Sequence, residues 1–93
     1  MTFNQSLEKI GSTFLKLKDE KSTKAFLEDI LTPKEILSIA ERLAVLELLL
    51  EGKSQREVAK ELGCAIATVT RGNRMLQYGT GGAKKFLSLI KKS

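Results

Sequence analysis

Two short helices joined by a glycine turn are the strongest structural signal in the sequence, and they occupy residues 54–76. Ser54 followed three residues later by Glu57 is a capping box, the pairing with which many helices begin. Gly63 supplies the left-handed backbone conformation that ends a helix. Ile66 then opens a second apolar stripe of helical spacing. Because the turn between the two segments is short, the pattern is typical of a helix-turn-helix.

A helix-turn-helix places its second helix in the major groove of DNA, while its first helix crosses the phosphate backbone. Short side chains at the front of the second helix suit contacts with bases, and cations on the first helix suit phosphates. The candidate DNA-contacting residues are Gln55, Arg56, Lys60, Ile66, Ala67, Thr68 and Thr70. We expect Arg56 and Lys60 to bind phosphates, and Thr68 and Thr70 to lie at the bases. The alternative is a helical hairpin that only packs within its own domain.

Charge is distributed unevenly along the chain, whose net charge is +5. Residues 1–61 hold ten Lys or Arg and eleven Asp or Glu, which leaves a charge of −1. Residues 62–93 hold six basic side chains and no acidic one, a charge of +6. A basic segment that begins inside the second motif helix favours a polyanionic partner such as nucleic acid. The alternative is a solvated surface with a basic tail.

Length and composition exclude several classes of protein. The 93 residues suit one domain, taken here as residues 1–93, with a small core unless the chain pairs with a copy of itself. The single cysteine, Cys64, has no disulfide partner and the chain has no histidine, so we expect no metal and a reducing cytoplasm. We also expect neither a signal peptide nor a membrane span, because no long apolar run is present. Without a catalytic constellation or a phosphate-binding loop, we do not expect an enzyme.

Amphipathic helices are predicted on both sides of the motif. Apolar residues at spacings of three and four predict a helix over residues 3–17. Ser22 is the candidate N-cap of a second, short helix that carries Phe26. After a glycine-rich break at residues 78–82, residues 83–92 are predicted to form a last amphipathic helix that ends in lysines. Because no strand pattern is present, the predicted fold class is all-α with six helices.

The longest helix is predicted to begin after Thr32, where three start signals coincide. An N-cap threonine, Pro33 at the first helical position and Glu35 at the third mark the same helix start. The helix runs to Leu50, and its apolar residues cover most of its circumference. A helix that is apolar nearly all round has to be buried. One short chain cannot supply that cover, so we predict a homodimer.

The central part of the sequence, from about Phe26 to Leu76, resembles the Trp repressor family. The likeness rests on Leu31-Thr32-Pro33, Arg42, Gly52, the run from Ser54 to Glu57 and the run from Gly63 to Gly72. The Trp repressor is itself a standard example of the helix-turn-helix. The resemblance implies an intertwined, all-helical homodimer that represses transcription by binding operator DNA, with L-tryptophan as its corepressor.

The resemblance also implies a ligand site. In the family, two arginines flank the indole ring, and they match Arg42 and Arg71, whose guanidinium planes can stack on an aromatic face. Leu31 and Thr32 match residues that line the pocket from the other subunit, and Gly72 matches a glycine that leaves room for the ligand. The candidate ligand-binding residues are Leu31, Thr32, Arg42, Arg71, Gly72 and Met75. The ordinary alternatives are a helix cap, close helix packing and surface ion pairs.

Departures from the tryptophan-responsive pattern leave the effector open. The turn before Ser54 is one residue shorter, and Met75 stands where tryptophan binders carry a small serine. Arg74 and the Tyr78-Gly79 pair instead resemble the Gram-positive branch of Trp-repressor-like regulators. The functional alternatives are therefore a regulator with another effector or none, and a helical adaptor that binds protein or RNA.

Overall fold

Six α-helices make up the fold in the computed structural model, which describes residues 1–92 and the side chains of residues 1–89. The helices are α1 (Phe3–Phe14), α2 (Glu20–Ile30), α3 (Pro33–Leu50), α4 (Gln55–Leu62), α5 (Ile66–Tyr78) and α6 (Gly82–Lys92). No strand occurs among these residues, so the all-α prediction is confirmed. None of the described helices is long and apolar enough to cross a membrane. The lysines predicted to end the last helix come after residue 89, so their side chains lie outside the part of the chain whose side chains are described.

The first of two compact units comprises Met1–Ile36. Thr2 caps α1, because its hydroxyl accepts the N–H of Gln5 at 3.1 Å and the Gln5 amide oxygen accepts the N–H of Thr2 at 2.9 Å. The helix ends at Phe14, earlier than the apolar spacing predicted. The N–H of Leu17 donates to the carbonyl of Phe14 at 3.1 Å, and this tighter, three-residue turn ends the helix.

Asp19, and not Ser22, is the N-cap of α2. The carboxylate of Asp19 accepts the N–H of Ser22 at 2.7 Å, and this hydrogen bond lowers the pKa of Asp19. The prediction for Ser22 is wrong because Asp19 caps the helix three residues earlier, so the helix begins at Glu20 and Ser22 lies in its first turn. The rings of Phe14 and Phe26 meet edge to face at 6.0 Å and join α1 to α2.

The start of α3 matches its prediction. The hydroxyl of Thr32 accepts the N–H of Glu35 at 3.2 Å, and the carboxylate of Glu35 accepts the N–H of Thr32 at 2.9 Å. These hydrogen bonds lower the pKa of Glu35. Pro33 is the first helical residue, where its missing N–H costs nothing. The helix runs to Leu50, and Gly52 then turns the chain with a φ of +94° that suits glycine.

The second unit begins at Leu37, and three valines form its core. Val45 of α3, Val58 of α4 and Val69 of α5 are each at most 1 % exposed and form one buried cluster. Partly buried side chains pack around this cluster, namely Leu48, Leu49, Ala59, Leu62 and Cys64. The core therefore joins the second part of α3 to both motif helices.

The single chain does not bury α3 as its apolar sequence requires. Val45 and Leu46 are its buried residues, whereas Leu37 is 71 % exposed and Leu43 is 44 % exposed. Apolar side chains on α1 and α6 are exposed as well, among them Phe3, Leu7, Ile10, Phe86 and Leu89. The second subunit that the sequence predicted to cover such residues stays a prediction.

Candidate nucleic-acid interface and cavity

The ends of α4 are fixed by the residues that the sequence singled out. The Ser54 hydroxyl accepts the N–H of Glu57 at 3.1 Å, and the Glu57 carboxylate accepts the N–H of Ser54 at 3.0 Å. These hydrogen bonds lower the pKa of Glu57. At the other end Gly63 adopts φ +65° and ψ +33°, the left-handed conformation predicted for it. Because α5 begins at Ile66, the connecting turn is as short as expected.

The start of α5 lacks a side-chain cap. Ala65 is its N-cap residue, and no side chain accepts a hydrogen bond from the first turn. The N–H groups of a helical first turn have no partner within the helix, and they attract anions such as phosphate oxygens. The N–H of Thr68 donates to the carbonyl of Ala65 at 3.0 Å, and the N–H groups before it can donate to an external acceptor.

A hydrogen bond joins the two motif helices. The hydroxyl of Thr70 donates to the amide oxygen of Gln55 at 2.8 Å. This bond holds the first residue of α4 beside the second turn of α5. Two of the predicted DNA-contacting residues are thus in direct contact.

The acidic side chains of α4 are engaged within the chain, whereas its exposed cations are not. Glu61 pairs with Lys53 at 2.8 Å, and this hydrogen bond raises the pKa of Lys53, while Glu57 belongs to the capping box. Arg56 and Lys60 lie four residues apart on one face of α4 and are exposed. Neither forms an ion pair with a described side chain. Their positive charge is therefore available to an external anion.

The front of α5 exposes small and medium-sized side chains. Ile66, Ala67 and Thr70 are exposed, and Ile66 keeps 51 % of its surface in solvent. Thr68 is half-buried and lines a cavity beside α3. Of the two threonines predicted to lie at the bases, Thr70 therefore faces solvent and Thr68 lines the cavity.

A cavity of about 80 Å³ lies between α3 and α5 and is called the α3–α5 cavity below. Side chains three and four residues apart share one helix face, and each helix lines the cavity with one such stripe. The lining residues are Ser38, Glu41 and Arg42 of α3 and Thr68, Arg71, Gly72 and Met75 of α5. The two arginines that the resemblance pointed to thus line a single cavity, together with Gly72 and Met75.

Gly72 allows α5 to approach α3 closely. A β-carbon at Gly72 would lie 2.6 Å from Cγ1 of Val45, closer than carbon atoms approach in proteins. Both Gly72 and Val45 are buried. The packing role weighed for this glycine is therefore present in the structure, beside its place on the cavity wall.

The remaining candidate ligand residues differ in their surroundings. Arg42 and Arg71 are exposed, and neither forms an ion pair with a described side chain, so the surface ion-pair alternative is not observed for them. Met75 is half-buried. In the first unit, Leu31 is the C-cap of α2 and Thr32 caps α3. Their assignment to the ligand site of another subunit stays a prediction.

Two cavity residues were missed by the sequence analysis. Ser38 and Glu41 precede Arg42 by four residues and by one, so helical spacing from that arginine would have indicated Ser38 as a neighbour. The described residues include no cluster of cysteine and acidic side chains that could hold a metal ion.

Residues 5–91 match the family described as the Trp repressor protein. The "uncharacterized protein YerC" of Bacillus subtilis (strain 168) is 33 % identical over 89 residues, which cover 96 % of this chain and 86 % of that protein. A Trp operon repressor homolog of Photobacterium profundum is 36 % identical over 75 residues, covering 78 % of this chain and 73 % of that protein.

The fold is similar to that of a solved structure, a TrpR like protein from Eubacterium eligens ATCC 27750. The TM-score is 0.84 and the sequence identity is 33 %. The match covers 94 % of this chain and 90 % of that chain. The likeness therefore extends to helices outside the motif.

Proposed function

The chain belongs to the Trp repressor family, a family of DNA-binding regulators, and we propose that it represses transcription by binding operator DNA as an intertwined homodimer. The observation that carries this proposal is the surface of the α4–α5 pair. Arg56 and Lys60 carry positive charge without a described acidic partner, and the exposed front of α5 belongs to the same pair of helices. The hydrogen bond between Thr70 and Gln55 holds these two helices together.

In the proposed complex, α5 enters the major groove and α4 crosses the backbone. Arg56 and Lys60 bind phosphates, as do the uncapped N–H groups at the front of α5. Ile66 and Ala67 offer apolar contacts to thymine methyl groups, and Thr70 offers a hydroxyl. Phosphate contacts position the protein, and the base contacts give it sequence preference.

Electrostatics support a polyanionic partner for the second unit. Residues 62–93 carry no acidic side chain. Both acidic side chains of α4 are occupied by intramolecular hydrogen bonds. In α4 and α5 the basic side chains outnumber the acidic ones by four to two, so long-range attraction would favour encounter with a duplex.

A second subunit is supported by the exposed apolar side chains of α1, α3 and α6. Phe3 is 73 % exposed, Leu37 is 71 % exposed and Phe86 is 61 % exposed in the single chain. Exposed large apolar side chains in this number favour a protein interface. A dimer would also present two reading helices, which is the arrangement that a two-fold operator requires.

The α3–α5 cavity supports a ligand site between Arg42 and Arg71. A ligand there would contact both α3 and α5, and it would bind well only when the two helices are correctly spaced. Such differential affinity is what an effector needs to control DNA binding. A small planar ligand, with tryptophan as the first candidate, was expected from the resemblance.

A gel-shift titration tests DNA binding. We expect a palindromic duplex to be bound more tightly than a scrambled one of equal length, with affinity that falls steeply as salt increases. The variant Lys60→Ala should weaken binding to every duplex, whereas Lys21→Ala, which removes an exposed lysine of α2, should leave it unchanged. Equal binding to palindromic and scrambled duplexes, or a preference for single-stranded RNA, would contradict the proposal and favour the adaptor.

A further inference from the structure

The α3–α5 cavity is small for an aromatic ligand. Its volume is about 80 Å³. For comparison, an apolar cavity of about 150 Å³ in another protein accepts benzene. The indole ring of tryptophan is larger than benzene, so the α3–α5 cavity as it stands does not enclose an indole.

The wall of the cavity at Gly72 is tightly packed. Gly72 already brings α5 so close to α3 that a β-carbon would meet Val45, which is 1 % exposed. Valine is also restricted in its side-chain rotation because it is β-branched. The space can therefore not be enlarged at the Gly72 end without separating α5 from α3.

Met75 is the half-buried apolar residue on the α5 side of the cavity. It follows Arg71 by four residues and Gly72 by three, so the three residues lie on one face of α5. An unbranched thioether adapts to irregular gaps, which suits it to filling space between two helices. Arg42 and Arg71, which line the same cavity, are exposed, whereas Met75 is half-buried.

We infer that Met75 determines the ligand specificity of the α3–α5 cavity by filling the space that an aromatic effector would need, so that the cavity excludes tryptophan. This inference deepens the proposed function and rests on it for its consequence at DNA. Because an effector acts only through different affinities for two states, a cavity that excludes tryptophan cannot transmit its concentration. In this proposal the Met75 side chain takes the place of a ligand beside α3, and operator binding is independent of tryptophan.

Isothermal titration calorimetry with L-tryptophan and with indole tests the inference without DNA. We expect no binding to the wild-type protein at millimolar ligand. Met75→Ala removes the thioether and should bind both ligands at least tenfold more tightly than the wild-type protein does. Met75→Leu keeps a bulky apolar side chain and should, like the wild type, bind neither ligand. Circular dichroism melting of each variant confirms that it is folded, and a second change, Arg71→Ala, should abolish the binding gained in Met75→Ala.

The outcomes separate the inference from the proposed function. Binding of tryptophan to the wild-type protein as tightly as to Met75→Ala would overturn the inference, and so would a folded Met75→Ala protein that binds neither probe. In gel shifts, tryptophan should change wild-type affinity for the duplex by less than twofold. If the wild-type protein bound no duplex, the proposed function would be refuted. The inference about Met75 would still stand on the calorimetric comparison, which does not involve DNA.

Discussion

The close approach of α5 to α3 at Gly72 predicts a measurable loss of stability in Gly72→Ala. The new β-carbon would lie 2.6 Å from Cγ1 of Val45 and 3.7 Å from Cδ2 of Leu46. Val45 is 1 % exposed and Leu46 is 4 % exposed, so neither side chain has an open direction in which to move. The substitution therefore forces the two helices apart or strains the valine.

Two opposing effects set the magnitude. Replacing glycine by alanine inside a helix gains about 0.5–1 kcal/mol from the smaller loss of backbone entropy. Overpacking a well-filled core by one carbon costs about 1–3 kcal/mol. The overpacking effect is larger here because the clash involves a buried β-branched side chain. Subtracting the gain from the cost leaves a net loss of about 0–2.5 kcal/mol, and the buried clash puts Gly72→Ala in the upper half of this range.

Gly11→Ala is the matched control. Gly11 also lies inside a helix, but a β-carbon there would have no atom within 4 Å. Urea unfolding at one fixed protein concentration should therefore give a higher midpoint for Gly11→Ala and a lower one for Gly72→Ala. If both variants raised the midpoint equally, the argument from close packing at Gly72 would be refuted.

Further consequences can be measured with single changes. Leu46→Asp places a charge at a site that is 4 % exposed, so it should abolish the helical circular-dichroism signal, and a folded monomer in sedimentation would contradict the expected role of this helix. Lys60→Ala should lower the salt slope of duplex binding by about one unit, and an unchanged slope would remove Lys60 from the phosphate contacts. The lowered pKa of Glu57 means that its carboxylate stabilises the fold above the ordinary glutamate pKa and loses this effect as pH falls through the lowered value. Glu57→Gln should therefore lower thermal stability at neutral pH and make its decline below about pH 4 less steep, and parallel pH profiles for the two proteins would contradict this.

Features that depend on neighbouring residues were predictable from the sequence. The caps at Thr32 and Ser54 and the left-handed Gly63 each involve one side chain and backbone groups within a few residues. A pattern of four letters is enough to indicate such an interaction. Ser22 shows the limit of this approach, because two residues that commonly cap helices stand three positions apart, and Asp19 is the one that caps α2.

Features that depend on helix packing were less predictable. Apolar spacing continued past Phe14, yet α1 ended there in a three-residue turn. Glu41 was not recognised as a cavity residue, because its place there depends on how α3 lies against α5. That register is set by the contact between Gly72 and Val45, which are far apart in sequence. No local pattern around either residue contains this information.

Helix α5 connects the cavity to the proposed DNA surface. Its stripe of Thr68, Arg71, Gly72 and Met75 lines the cavity, while Ile66 and Thr70 on other faces of the same helix are exposed. Because a packed helix moves largely as a unit, a change in the spacing between α3 and α5 would displace the exposed residues as well. The hydrogen bond from Thr70 to Gln55 would carry that displacement into the start of α4. Position 75 lies on the same stripe, so a substitution there that altered the spacing would displace the reading surface whether or not a ligand is bound.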